Sequence, residues 1–238
     1  MNLLSVHELK KNYGGVQALK PTSFSTAAGE IVAVVGDNGA GKSTLMQCLS
    51  GAVMPDGGTI MFNGEDCTHT GPSETRHFGM AMIYQDLGLC RQQPVLANIF
   101  LGSEITKNGF LDKRSMMMRA KEILAELHID LNLETPVEHL SGGQRQAVAI
   151  ARAMINPPKL LIMDEPNAAL GVRESENVLQ LIRRLKQKGV AVLLITHRLT
   201  DVFAVADRVL IMRQGSIAQD IKVTATNLEQ LTQMIRQA

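Results

Sequence analysis

The chain has 238 residues, 45% of them hydrophobic, and balances 24 Lys+Arg against 23 Asp+Glu for a formal net charge of +1. That is ample material for a globular core, and the near-neutral balance excludes a strong field for nucleic acid or an anionic membrane surface. Cys48, Cys67 and Cys90 form neither a Cys-x-x-Cys pair nor a zinc spacing, so a reduced, cytosolic chain is expected, and no stretch approaches signal-peptide character or the roughly 20 apolar residues of a membrane span.

The first sixty-odd residues read as short β-segments: "LLSVHEL", "QALKPTSFSTA" and "TIMFNGE" alternate in polarity and end in Gly or Asn. Tyr13, followed by two glycines, is a candidate platform for stacking an adenine. "EIVAVVG" is a continuous apolar run of the kind found in a strand buried on both faces. It leads into "GDNGAGKST", which fits G-x-x-x-x-G-K-[ST] from Gly36 through Asp37, Asn38, Gly39, Ala40, Gly41 and Lys42 to Ser43, with Thr44 next. The glycines let successive N–H groups point inward, and the helix that follows adds its dipole, so the loop cradles phosphate oxygens. Lys42 is placed to neutralise the β- and γ-phosphates and Ser43 to ligate Mg²⁺.

Further strands are expected at "GMAMIYQ", "KLLIMDE", "VAVLLITH" and "DRVLIMR", with helices between the last few, which is an α/β pattern with a mostly parallel sheet. Gln85 closes the first of these and is a candidate contact for Mg²⁺ and the attacking water. From Asp86 to Pro158 the character changes: "RSMMMRAKEILAEL" and "GGQRQAVAIARAMI" have helical periodicity and read as an inserted helical region. "LSGGQ" opens the second with Ser141, Gly142, Gly143 and Gln144, a second helix start suited to an anion.

"LLIMDE" places Asp164 at a strand end, where it would bind Mg²⁺ through water, and Glu165 just beyond, where it would act as general base. His197 closes "VLLIT" and is a candidate γ-phosphate contact. In a doubly wound sheet, ligands sit at the carboxyl ends of strands, so these residues converge on one crevice. "MRQGSIAQD" reads as a hairpin turning at Gln214-Gly215, and "NLEQLTQMIRQ" as a final amphipathic helix. "MMM" at 116–118 fits a helix spanning core and surface. His7, His69, His77, His128 and His139 have no ligand-like spacing.

In order and spacing, Tyr13, "GDNGAGKST", Gln85, "LSGGQ", "LLIMDE" and His197 resemble the A-loop, Walker A, Q-loop, signature, Walker B and switch histidine of an ATP-binding cassette (ABC) ATPase. The resemblance covers essentially the whole chain. It implies a P-loop, RecA-like α/β core (1–85 and 159–238) with an N-terminal antiparallel β subdomain, and an inserted helical subdomain (86–158) carrying the signature. It also implies ATP and Mg²⁺ as ligands, and two cassettes paired head to tail. Ser141, Gly142 and Gly143 of one chain would then bind the γ-phosphate of ATP held by the other.

"VVGDNGAGKSTL", "YQDLGLC" with "ANIFLG", and "EPNAALGVRES" with "THRLTDVFAVADRV" are most similar to the ATPases of bacterial monosaccharide importers. Gly171 stands where the wider family has an aspartate reaching across the dimer, as is common in that branch; Asn167 stands where Thr is commoner. The implied partners are two permease subunits, received in a groove on a helical segment at about 86–102, and indirectly an extracytoplasmic sugar-binding protein. The implied place is the cytoplasmic face of the membrane. Another cargo, such as amino acids or lipids, or a soluble ABC ATPase, shares the catalytic motifs. A P-loop kinase is disfavoured, since "LSGGQ" would go unexplained.

Overall fold

The computed structural model describes residues 2–168 and 170–237. Its first strands, β1 (Asn2–Tyr13) and β2 (Val16–Ala27), pair as an antiparallel hairpin, followed by β3 (Ile31–Val35) and helix α1 (Lys42–Leu49). β4 (Gly57–Phe62) and β5 (Glu65–Asp66) extend the first sheet in the order β2-β1-β4-β5. Pro21 is accommodated because β2 is its edge strand. Asn63 and Gly64 join β4 to β5 with positive φ at both positions, the turn an Asn-Gly pair favours. α2 (Pro72–Phe78), which the sequence reading did not anticipate, leads into β6 (Met80–Ile83).

The next stretch holds α3 (Val95–Ile99), a small hairpin of β7 (Thr106–Lys107) and β8 (Phe110–Leu111), α4 (Lys113–Leu127) and α5 (Gly142–Ala153). Asp112 caps α4 by accepting from the Ser115 N–H at 3.0 Å. The expected helical segment at 86–102 is helical only over the five residues of α3. Its approach is instead held by buried Asn98, whose amide donates to the carbonyls of Cys90, Gln93 and Pro94 and whose oxygen accepts from the Cys90 N–H.

The remaining elements are β9 (Leu160–Asp164), α6 (Val172–Gln187), β10 (Ala191–Ile195), α7 (Leu199–Val205), β11 (Arg208–Arg213), β12 (Ser216–Lys222) and α8 (Leu228–Gln237). The main sheet runs β12-β11-β3-β10-β9-β6, parallel throughout except for β12, which pairs antiparallel with β11. β3 and β10 are buried at every residue, as their apolar runs require.

The period of two sends alternate residues to opposite faces. Val32, Val34, Leu160 and Ile162 pack with Leu45, Met46 and Leu49 of α1 and with Leu4, Leu9 and Phe62 of the antiparallel sheet, so α1 lies between the two sheets. Leu161, Met163, Val192 and Leu194 face α3, α4, α5 and α6. Ala33, Val35, Val209 and Ile211 meet α7 and α8. Of the three consecutive methionines, Met116 is buried and Met118 exposed. Among the described residues no helix is long and apolar enough to cross a membrane.

Candidate active site

The loop between β3 and α1 has the form the glycine spacing demands. Gly36 has φ +148°, and a Cβ there would lie 2.2 Å from the Met212 carbonyl oxygen; at Gly41, φ +99°, it would lie 2.7 Å from that of Ala18. Neither position admits a side chain. The loop is pinned from outside by the β11–β12 turn. The Gly215 N–H donates to the Ala40 carbonyl at 3.0 Å, and the Gly215 carbonyl accepts from the Lys20 N–H at 2.7 Å. Lys42 folds back into the loop, donating to the carbonyls of Gly36 (2.6 Å) and Asp37 (2.9 Å).

A cleft of about 650 Å³ opens above this loop, a size suited to a small-molecule ligand. Its lining brings together Tyr13, the run Asn38, Gly39, Ala40, Gly41, Lys42, Ser43 and Thr44, and from the far strands Gln85, Asp164 and Glu165. Gln85 lies two residues past the end of β6 and is exposed, yet still reaches the cleft. His197 joins through Glu165, with Nδ1 2.7 Å from Oε2. Glu165 itself has φ +48°, uncommon for a non-glycine residue, while its N–H donates to the Ile195 carbonyl at 2.9 Å.

Electrostatics set these groups apart from surface residues. Burial pushes the Asp164 carboxyl above its ordinary range, reinforced by the Glu165 charge and opposed by Lys42. Burial lowers the Lys42 amine, opposed by Glu165, Asp37 and Asp164. Among the described residues nothing hydrogen-bonds the half-buried Asp164 carboxylate or the Ser43 hydroxyl, which leaves hard oxygen donors facing the cleft. Among the described residues no trio of His, Cys, Asp or Glu side chains forms a protein-only metal cage. That donor set fits Mg²⁺ held jointly by phosphate oxygens and water.

Several participants were not legible in the sequence. Lys11 lies 5.7 Å from the centroid of the Tyr13 ring and is paired with Asp56 at 2.8 Å, while the Tyr13 hydroxyl is 3.4 Å from Gln47 Oε1. Buried Asn167 donates to buried Asp201 at 2.9 Å, and Arg198 donates to the Asn167 carbonyl and the Ser175 hydroxyl. This network joins the residues just after Glu165 to those just after His197. The second glycine-bearing helix start is elsewhere: Ser141, Gly142, Gly143 and Gln144 do not line the cleft, and Gly142 and Gly143 pack against Leu170 and Glu174. The sequence reading did not single out Glu174, which the structure places at the N3 position of α6 after its N-cap Gly171.

Residues 19–168 match the family model described as ABC transporter. A xylose/arabinose import ATP-binding protein of Sulfolobus acidocaldarius is 44% identical over 98% of this chain and 94% of its own length. A fructose import ATP-binding protein of Rhizobium meliloti is 45% identical over 90% and 85%. A ribose import ATP-binding protein of Streptococcus agalactiae is 38% identical over 96% of the chain, which spans only 46% of that relative. Among solved structures, a nucleotide-free ATP-binding cassette from an ABC transporter superposes with a TM-score of 0.85 at 27% identity, covering 99% of this chain and 96% of that one. A dimeric bacterial ABC transporter cassette gives 0.79 at 25%, covering 92% and 98%. The glycine loop, the strand-end acids and these likenesses agree: the chain belongs to the ABC transporter family, as an ATP-hydrolysing subunit.

Proposed function

We propose that this chain powers a monosaccharide importer, hydrolysing Mg²⁺-ATP as a head-to-tail homodimer in which each ATP lies between the cleft of one copy and the "LSGGQ" helix of the other. The observation that carries this reading is that a complete phosphate cleft and a second anion-type helix start occur in one chain, with the second outside the first. In this reading residues 1–85 and 159–238 form the nucleotide-binding core and 86–158 the helical subdomain with the signature. The names of the xylose/arabinose, fructose and ribose relatives support the cargo class, and the dimeric cassette supports the pairing.

In the mechanism, Tyr13 stacks the adenine, and the backbone N–H groups from Asn38 to Thr44 surround the phosphates with Lys42 on the β- and γ-oxygens. Ser43, Gln85 and Asp164 would hold Mg²⁺, which supplies charge neutralisation on the phosphates when bound. Glu165 accepts the proton of the attacking water as its oxygen bonds to the γ-phosphorus and the bond to the β-phosphate oxygen breaks, releasing ADP. His197 holds the Glu165 carboxylate from its other side and contacts the γ-phosphate. Ser141, Gly142, Gly143 and Gln144 complete the site from the partner. The partners are two membrane permease subunits, with a sugar-binding protein beyond them, and the chain lies peripherally on the cytoplasmic face, with no nucleic acid.

The test is uptake of radiolabelled xylose, ribose and fructose in native cells lacking this chain. The wild-type chain should restore uptake of at least one sugar, and Glu165→Gln, with phosphate release by the purified variant down at least about a hundredfold, should not. Unchanged sugar uptake in the deletion strain overturns the cargo reading, and full phosphate release by the variant overturns the role of Glu165.

A further inference from the structure

The start of α5 is not bare. Ser141 Oγ accepts from the Gln144 N–H at 3.3 Å and Gln144 Oε1 accepts from the Ser141 N–H at 2.9 Å, a reciprocal cap that leaves the Gly143 N–H to find another partner. It finds a carboxylate. Glu174 Oε1 accepts from the Gly143 N–H at 3.4 Å, while Oε2 accepts from the Gly171 N–H at 3.2 Å. The fit is enforced by packing, since a Cβ on Gly143 would lie 3.1 Å from the Cβ of Glu174 and one on Gly142 2.4 Å from Leu170.

Among the described residues Glu174 makes no ion pair, and the nearest guanidinium, Arg145, donates instead to the Leu140 carbonyl at 2.6 Å. The groups that hold its carboxyl below the usual range are the Ser141 hydroxyl first, then the N–H groups of Gly171 and Gly143, with Arg145 a lesser contributor. An anion therefore rests on the same Gly143 N–H that the reading above assigns to phosphate.

We propose that Glu174 is an intramolecular occupant of the phosphate subsite on the "LSGGQ" helix, which the γ-phosphate of a second copy's ATP must displace before the pair closes. The inference rests on the sandwich reading given above. Two anions cannot share the Gly143 N–H at close range without strong repulsion, and Glu174 is half-exposed on the first turn of α6, free to swing to solvent. ADP has no γ-phosphate to drive that exchange. Glu174 thereby raises the threshold for pairing and makes it specific for the triphosphate.

The experiment uses the full chain with Glu174→Gln, which keeps the shape and an N3 residue able to cap Gly171, and Glu174→Asp as a second variant that withdraws the carboxylate by one methylene. The readouts are the protein concentration giving half-maximal turnover at saturating Mg²⁺-ATP, and the affinity for ADP. Both variants should lower that concentration, Glu174→Gln by about two- to fivefold, as expected for one like charge removed at a surface site, with ADP affinity unchanged. Ser141→Arg, which blocks the helix start, is the control. Turnover lost in Ser141→Arg, with the midpoint unmoved or raised in both Glu174 variants, overturns the proposal alone. Wild-type turnover and concentration dependence in Ser141→Arg overturns the sandwich reading beneath it.

Discussion

Replacing Asp201 with Ala removes the carboxylate on which the loop after Glu165 depends. Asp201 is 2% exposed and accepts from the Asn167 amide at 2.9 Å, with Arg198 Nε at 3.7 Å. Asn167 Oδ1 has no partner among the described residues, so the substitution strands the whole buried amide. Leaving such a donor unsatisfied costs about 1–3 kcal/mol. The part-exposed Arg198 contact adds at most about 1 kcal/mol, and the lost acid in the first turn of α7 about 0.3–1 kcal/mol. A total of about 3 kcal/mol corresponds to a melting temperature lowered by about 6–12 °C for a chain of this size. Thermal unfolding followed by far-UV circular dichroism reads this, with Asp220→Ala as the comparison. Asp220 meets Arg208 at 2.6 Å on the surface, so its removal should cost no more than about 1 kcal/mol. ATP turnover of Asp201→Ala should also fall about tenfold at temperatures where it is folded, because Glu165 and His197 lose their common support. Equal destabilisation by the two substitutions would refute the argument, since burial of the Asn167 amide is what distinguishes them.

Two further outcomes follow from the cleft. Because burial lowers the Lys42 amine below 10.5, the charged form is lost at a lower pH than for a free lysine. The fall in ATP affinity of Glu165→Gln as pH rises should therefore have its midpoint below 10.5; a midpoint at or above 10.5 contradicts the shift. Lys11→Met should weaken ATP binding about two- to fivefold by removing the cation over the Tyr13 ring, with Lys11→Arg restoring it. The chain has no Trp and two Tyr, so in a Tyr84→Phe background the emission of Tyr13 reports nucleotide stacking directly, and an ATP titration curve unaffected by Lys11→Met argues against the positioning role.

Much of this architecture was written locally. The alternation of apolar residues, the Gln214-Gly215 turn and the glycine loop before α1 specify backbone angles and strand faces over a few residues, so the main strands, the terminal hairpin and the long helices were readable. The cleft residues Lys42, Gln85, Asp164 and Glu165 were readable as neighbours too, because strand ends in a parallel sheet converge whatever the intervening lengths. Short elements were not: α2 and the β7–β8 pair have too few residues for a period to show, and the expected helical segment at 86–102 is helical only over α3, with the loop before it organised by Asn98.

The sequence by itself determined which residues are candidates for phosphate chemistry and in what order they come. Only the tertiary structure decided what stands beside them. The clamp of Gly215 on the glycine loop, the Asn167–Asp201 pair and the Glu174 carboxylate on Gly143 join residues far apart in the chain. Each depends on the path of the intervening strands and helices, and no local spacing encodes that path. A side chain's hydrogen-bond partner is a property of the space the fold leaves around it, which is why the occupant of the signature helix became visible only once α5 and α6 were packed together.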